Sequence, residues 1–236
     1  MRSFKEYKMI TLGVIPARGG SKSVPFKNIR ELSGRPLIAY TIDSAKAAKT
    51  LSRVIVSTDS LKIADLARDC GCEVVMRPEE LASDTAPTEL ALIHALDHLE
   101  KEDNFKPDIV LTLEPTSPFR SASLIDKCID IFNSTDADSV IGVSESKSCY
   151  GKIIKGKFEF LVPGQPRRRQ ERKPLYKESS TIYATSTKVL RKKKSVLGDI
   201  LYPVVVSQLE AVDINTETDF CVVEALMNLK KEGKYD

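Results

Sequence analysis

Between residues 10 and 143, short runs of β-branched and apolar residues alternate with stretches whose apolar residues recur at helical spacing. The alternation predicts strands at 10–15, 53–57, 73–76, 108–113 and 139–143, with helices at 36–48, 60–70, 88–100 and 123–132 between them. A helix placed between two strands acts as a crossover, and it returns the second strand parallel to the first in the right-handed sense. The expected fold is therefore α/β: a doubly wound, mostly parallel, Rossmann-like sheet with helices on both faces. Ligands of such sheets sit beyond the carboxyl ends of the strands. The loops at 18–28, 58–59, 77–88 and 114–120 are thus where chemistry is expected.

The alternation stops near residue 144. Residues 152–161 alternate as a short hairpin, a loop rich in Pro, Gly and Arg follows at 163–173, and strands at 180–184 and 202–206 return to the sheet. A last helix is expected at 218–230. The stretch of about 144–178 reads as an excursion from one domain spanning 1–236, either a flap or a dimerisation arm.

The first predicted strand empties into Arg18, Gly19, Gly20, Ser21 and Lys22, with Lys27 and Asn28 close behind. Glycines let backbone N–H groups approach a phosphate chain, and Arg18, Lys22 and Lys27 supply positive charge. The pattern is neither G-x-x-x-x-G-K-[S/T] nor G-x-G-x-x-G, so it is a phosphate loop of a third kind.

Composition narrows the rest. A formal net charge of +3 is too small to imply nucleic-acid binding. The basic runs at 167–169 and 172–173 are expected at an anionic cleft, and that at 191–194 at the surface. The five cysteines have no metal spacing and no C-x-x-C pair, which suits reduced thiols in a cytoplasmic protein. The first nine residues lack the apolar core of a signal peptide, and no apolar run approaches a membrane span.

Several segments in order resemble the acylneuraminate cytidylyltransferases, the CMP-sialic acid or CMP-nonulosonate synthetases. They are residues 15–28, Ile55 to Asp59, Arg77 to Thr85, Pro115 to Arg120, Arg169-Gln170, Ile182-Tyr183 and Val212 to Asp219, and the resemblance spans about residues 9–230. It implies a cytoplasmic, homodimeric, Mg²⁺-dependent nucleotidyltransferase moving CMP from CTP to a 2-keto sugar acid, with release of pyrophosphate. Arg18, Ser21, Lys22 and Lys27 match residues that grip the triphosphate, and Asn28 a neighbour that helps hold the nucleotide. Arg77 and Ala86 fall where cytosine is read, and Thr88 near the ribose or base. Asp213 matches the carboxylate that holds the metal, so Arg18, Lys22 and Asp213 are the candidate catalytic residues.

The departures concentrate elsewhere. The family's Asp-Ile-Asp is here Asp213-Ile214-Asn215, which leaves a neutral carbonyl oxygen at the second metal position. Glu114 stands where an amide is usual. Lys177 replaces an arginine, losing the bidentate geometry a carboxylate prefers, and Ser179-Ser180 replaces Asn-Gly. With Lys152 and Arg169 in family contact positions, the expected sugar-facing set is Glu114, Lys152, Arg169, Lys177 and Ser179. The implied sugar differs from N-acetylneuraminic acid and is of legionaminic or pseudaminic type. Two other readings stay open, a same-fold nucleotidyltransferase with a different sugar or nucleotide and a non-catalytic CTP-binding protein.

Overall fold

The computed structural model describes residues 9–21 and 24–234. The chain opens with β1 (Thr11–Pro16), buried along its whole length. A two-strand tab, β2 (Glu31–Leu32) and β3 (Arg35–Pro36), turns through Ser33 and Gly34, both at positive φ. Such a turn matches the twist of a tight hairpin. There follow α1 (Leu37–Ala47), β4 (Arg53–Thr58), α2 (Leu61–Asp69), β5 (Glu73–Met76) and α3 (Thr88–Asp103). The alternation continues through β6 (Ile109–Thr112), α4 (Ala122–Ser134) and β7 (Ser139–Ser146). Next come β8 (Gly151–Ile154), β9 (Lys157–Phe160), β10 (Leu175–Ser186), α5 (Thr187–Lys193), β11 (Leu201–Val206) and α6 (Glu217–Lys231).

Seven strands form the central sheet in the order β11-β7-β10-β6-β1-β4-β5. β1 lies parallel to β4 and β6, β4 to β5, and β11 to β7. Only β10 runs antiparallel, to both β6 and β7. Side chains alternate across a strand, and the core divides accordingly. Leu12 and Val14 pack with Leu92, Leu96 and Leu99 of α3 and Leu190 of α5. Ile15 and Val56 face the other way, against Ile38 and Ile42 of α1, Ile63 of α2 and Leu124 and Ile125 of α4. Helices therefore cover both faces, as a mostly parallel doubly wound sheet requires.

A third apolar cluster closes one end. Phe220, Val223 and Met227 of α6 pack on Val24, Leu32, Leu37 and Ile214. The helix starts at a capping box: Thr216 Oγ1 accepts from the Asp219 N–H at 3.2 Å, and the Asp219 carboxylate accepts from the Thr216 N–H at 2.8 Å. Two of the orphan donors at the helix start are satisfied in this way.

Beyond the core, β7 and β10 stay paired out to Ser146 and Leu175. Between them β8 and β9 make a separate two-stranded sheet. Ile153, Phe158 and Leu161 on this hairpin are largely exposed. The loop that follows is braced by Arg172, whose guanidinium donates to the carbonyls of Pro166 and Lys147 at 2.8 and 3.0 Å and to that of Arg167. The run at 172–173 was expected at an anionic cleft, but the Arg172 guanidinium is spent on its own loop. At 191–194 the surface expectation holds, with Arg191 paired to Asp97 and Glu100.

Candidate active site

Three adjoining cavities of about 490, 380 and 350 Å³ form a trough beyond the carboxyl ends of β1, β5 and β6. The first and second share Lys27, Thr88, Glu114, Thr116 and Asn215; the second and third share Ser180, Tyr183, Asp213 and Asn215.

One end is cationic. Arg18, Ser21, Lys27, Arg77, Ala86 and Thr88 all line the first of these cavities, as does Asn28. Asn28 is buried, and its Nδ2 donates to the Arg18 carbonyl at 3.0 Å, so it shapes the loop after β1. Lys27 Nζ donates to the Ile214 carbonyl at 2.9 Å. Burial draws this ammonium below the usual lysine range, with Asp213 and Glu114 opposing. The Arg77 guanidinium is buried, 3.9 Å from Asp59, and its Nε has no hydrogen-bond partner. An unsatisfied buried donor in a cavity wall has strong cause to meet an acceptor. Arg18 donates to Asp84 at 2.6 Å. Thr88 begins the 16-residue α3, whose N-terminal partial positive charge adds to this end.

Gly19 is placed differently from expectation. Its N–H donates to the Asp59 carboxylate at 3.0 Å. A Cβ here would sit 3.0 Å from the Ser60 Cβ, so the loop packs tightly against the residue that precedes α2. Gly20 has open space around it and carries the exposed part of the loop. Lys22 lies outside the described residues.

The middle of the trough is acidic. Ile214 is fully buried in the third cluster, its N–H donating to the Thr116 carbonyl at 3.0 Å and its carbonyl held by Lys27. Anchoring that one apolar side chain leaves its neighbours Asp213 and Asn215 at the trough. Asn215 Nδ2 donates to Asp213 Oδ2 at 2.7 Å, while Asp213 Oδ1 is buried without a partner. Glu114 follows β6, and burial pushes its carboxyl up to about 7, Arg120 opposing and Asp213 adding to the rise. Its backbone is fixed by Arg120, whose Nη2 donates to the Glu114 carbonyl at 2.6 Å and Nε to the Thr181 carbonyl at 2.6 Å.

The far end is polar. Lys177, Glu178, Ser179 and Ser180 of β10 line the third cavity. Thr181 Oγ1 donates to the Glu210 carbonyl at 2.8 Å, so the Ser179 hydroxyl donates to Thr181 Oγ1 at 2.6 Å. Tyr183 donates to Glu178 Oε1 at 2.8 Å; burial and that bond push its phenol above the usual range.

Lys152, on β8, and Arg169, in a 3₁₀ turn at Arg169–Glu171, line none of these cavities. Both lie beyond the β7–β10 ladder, in the 144–178 stretch. Sequence reasoning missed Asp59, Asp84 and Arg120 as site residues, although Asp59 and Arg120 end two of the segments that carried the resemblance. Their partners are a glycine N–H forty residues away, an arginine sixty-six away, and for Arg120 the carbonyls of Glu114 and of the remote Thr181, which no local pattern announces.

A family model described as Cytidylyltransferase matches residues 12–200. The chain is 36% identical over 232 residues to the "CMP-N,N'-diacetyllegionaminic acid synthase" of Legionella pneumophila subsp. pneumophila, covering 95% of this chain and 99% of that one. It is 34% identical to the "Post-translational flagellin modification protein B" of Campylobacter coli, covering 93% and 95%. It is 30% identical to an "N-acylneuraminate cytidylyltransferase" of Streptococcus agalactiae, covering 88% of this chain and 51% of that protein. Among solved structures, the CMP:2-keto-3-deoxy-manno-octonic acid synthetase complexed with CTP superimposes with a TM-score of 0.69 at 16% identity, covering 94% and 99%. That last likeness is one of fold.

Proposed function

The chain belongs to the cytidylyltransferase family, and from that premise we propose that it joins CMP from CTP to the anomeric hydroxyl of a nonulosonic acid. In this reaction the sugar oxygen bonds to the α-phosphorus, the bond to the bridging oxygen breaks, and pyrophosphate leaves with the electron pair. Such transfers depend on positioning and on neutralising charge on phosphate oxygens. The observation that carries the reading is the trough itself, cationic at one end, polar at the other and acidic where they meet.

Arg18, Ser21, Lys22 and Lys27 hold the triphosphate, with Gly19 and Gly20 shaping the loop. Arg77, Ala86 and Thr88 take the cytosine and ribose, the unpaired Nε of Arg77 being the donor in want of an acceptor. Lys177 and Ser179 meet the sugar. Lys152 and Arg169 serve the partner subunit of a homodimer, reached by an arm built from about residues 144–178.

The resident cation is Mg²⁺. An unpartnered buried carboxylate oxygen on Asp213 fits a hard divalent ion. When bound, such an ion would neutralise the charge that develops on the phosphate oxygens during transfer. The five cysteines are all free, which suits a reducing cytoplasm. Among the described residues no helix is long and apolar enough to cross a membrane.

For the sugar we favour a legionaminic-type acid over N-acetylneuraminic acid. Lys177, Ser179 and Ser180 at the far end, with Glu114 in the adjoining middle, give the site a donor and acceptor set of its own, and a polar site disfavours a substrate that leaves its groups unpaired. The relative at 36% identity bears a diacetyllegionaminic name. CTP and Mg²⁺ offered with a panel of nonulosonic acids, read by mass spectrometry, should yield a CMP-sugar with the legionaminic-type acid fastest. A best rate with N-acetylneuraminic acid overturns the sugar assignment, and no CMP-sugar from any acid overturns the activity.

A further inference from the structure

We propose that Glu114, and not Asn215, is the second anionic ligand of the cation held by Asp213. This rests on reading the trough as a metal-dependent nucleotidyl-transfer site. Asn215 is already engaged: its amide donates to Asp213 Oδ2 and its own N–H to Asp219 Oδ2 at 3.0 Å. The amide thus holds one oxygen of Asp213 and leaves the other, buried Oδ1, as the acceptor without a partner. It orients the ligand from behind.

Glu114 has the opposite character. Its side chain lines the same cavity as Asp213. Its position is fixed through the backbone: Arg120 holds its carbonyl, and two residues on, the Thr116 carbonyl receives the N–H of Ile214. The turn bearing Glu114 and the segment bearing Asp213 are therefore stitched together beside the cavity. Lys27, anchored on Ile214, lines the same cavity and offsets part of the charge of both.

Among the described residues no group of three or more His, Cys, Asp or Glu side chains forms a ligand cage. Two carboxylates suffice for Mg²⁺, which dehydrates reluctantly and takes its remaining ligands from water and substrate phosphates.

Binding of Mn²⁺ alone, followed by electron paramagnetic resonance of the free ion, tests this. Wild type should show one saturable site. E114Q should weaken it at least tenfold, N215A should change it by less than threefold, and N215D added to E114Q should recover most of the loss. Melting curves of each variant separate lost ligation from lost fold, and E114D, which keeps the charge, should retain a site if E114Q proves unstable. Wild-type affinity in folded E114Q, an equal loss in N215A, or no saturable site in wild type overturns the assignment. Pyrophosphate release from CTP by wild type is scored separately. Turnover with unchanged Mn²⁺ binding in E114Q sinks only this inference, whereas a metal site lost in E114Q without wild-type turnover sinks the functional reading.

Discussion

Arg18 and Asp84 form an ion pair about one-third exposed on both sides. Pairs so exposed contribute on the order of 0–1 kcal/mol, so Arg18→Ala should leave the melting temperature almost unchanged. Turnover should nonetheless fall at least a hundredfold, because a lost contact to transition-state charge costs about 3 kcal/mol. Steady-state kinetics beside a melting curve checks both; an active variant removes the loop from the site. Glu114 makes the opposite prediction, about stability. Its carboxyl is pushed up to about 7 in the fold from 4.5, chiefly by burial. Below the unfolded value both states hold the proton and nothing is lost. As pH rises through the window the unfolded state releases its proton first, so folding loses up to a few kcal/mol and the loss is complete above the folded value. In chelator, Glu114→Gln should melt with wild type near pH 4.5 and several degrees above it at pH 8. A difference that does not vary with pH would show that Glu114 is not the strained group. In the sequence, Glu114 and Asn215 register as two unrelated departures from a pattern. The fold sets both on one cavity, where a carboxylate gained and a carboxylate lost become a single exchange. Arg120 was not legible as a clamp because its acceptors, the carbonyls of Glu114 and Thr181, lie on β6's turn and on β10.

At the scale of elements, strands with unbroken apolar runs were readable to within a residue or two: 10–15 for β1, 53–57 for β4, 73–76 for β5. β10 was not. It was expected at 180–184 and runs from Leu175 to Ser186, because its first half, Tyr176 to Ser179, is polar and leaves the core. Its antiparallel direction is a property of the connection, which no strand sequence encodes. α5 was missed for a related reason, being seven residues long with three basic residues in its last turn and one buried side chain, Leu190. α6 was expected at 218–230 and runs from Glu217 to Lys231, and its cap has a second task. Asp219 Oδ2 accepts from the N–H groups of both Thr216 and Asn215, so the start of the helix also sets the acidic segment. Thr216→Ala should cost about 1 kcal/mol of stability, a shift of roughly 2–4 °C for a chain of this size, measured by calorimetry. No shift would mean that Asp219 alone secures the helix start.

At the scale of the whole molecule, the β8–β9 hairpin exposes Ile153, Phe158 and Phe160 on two strands too few to bury a core of their own. Phe158 and Phe160 meet edge to face at 5.1 Å and stiffen the tip. The sequence break at 144 was visible as a loss of periodicity. Phe158→Ser with Phe160→Ser should convert a stable dimer to monomer in sedimentation; a wild-type monomer would remove the arm's proposed role. A consequence for ligand affinity follows from the shape of β10. One strand is core at Ile182 to Ser186, wall of the polar end of the trough at Lys177 to Ser180, and root of the 144–178 excursion at Leu175. The cationic end is carried by other parts, the β1 loop, the turn after β5 and the start of α3. On the proposed dimer, assembly and sugar binding at that end would be linked equilibria, each changing the other by the same factor. Diluting the enzyme toward monomer should loosen its grip on the sugar acid and leave its grip on the nucleotide as it was.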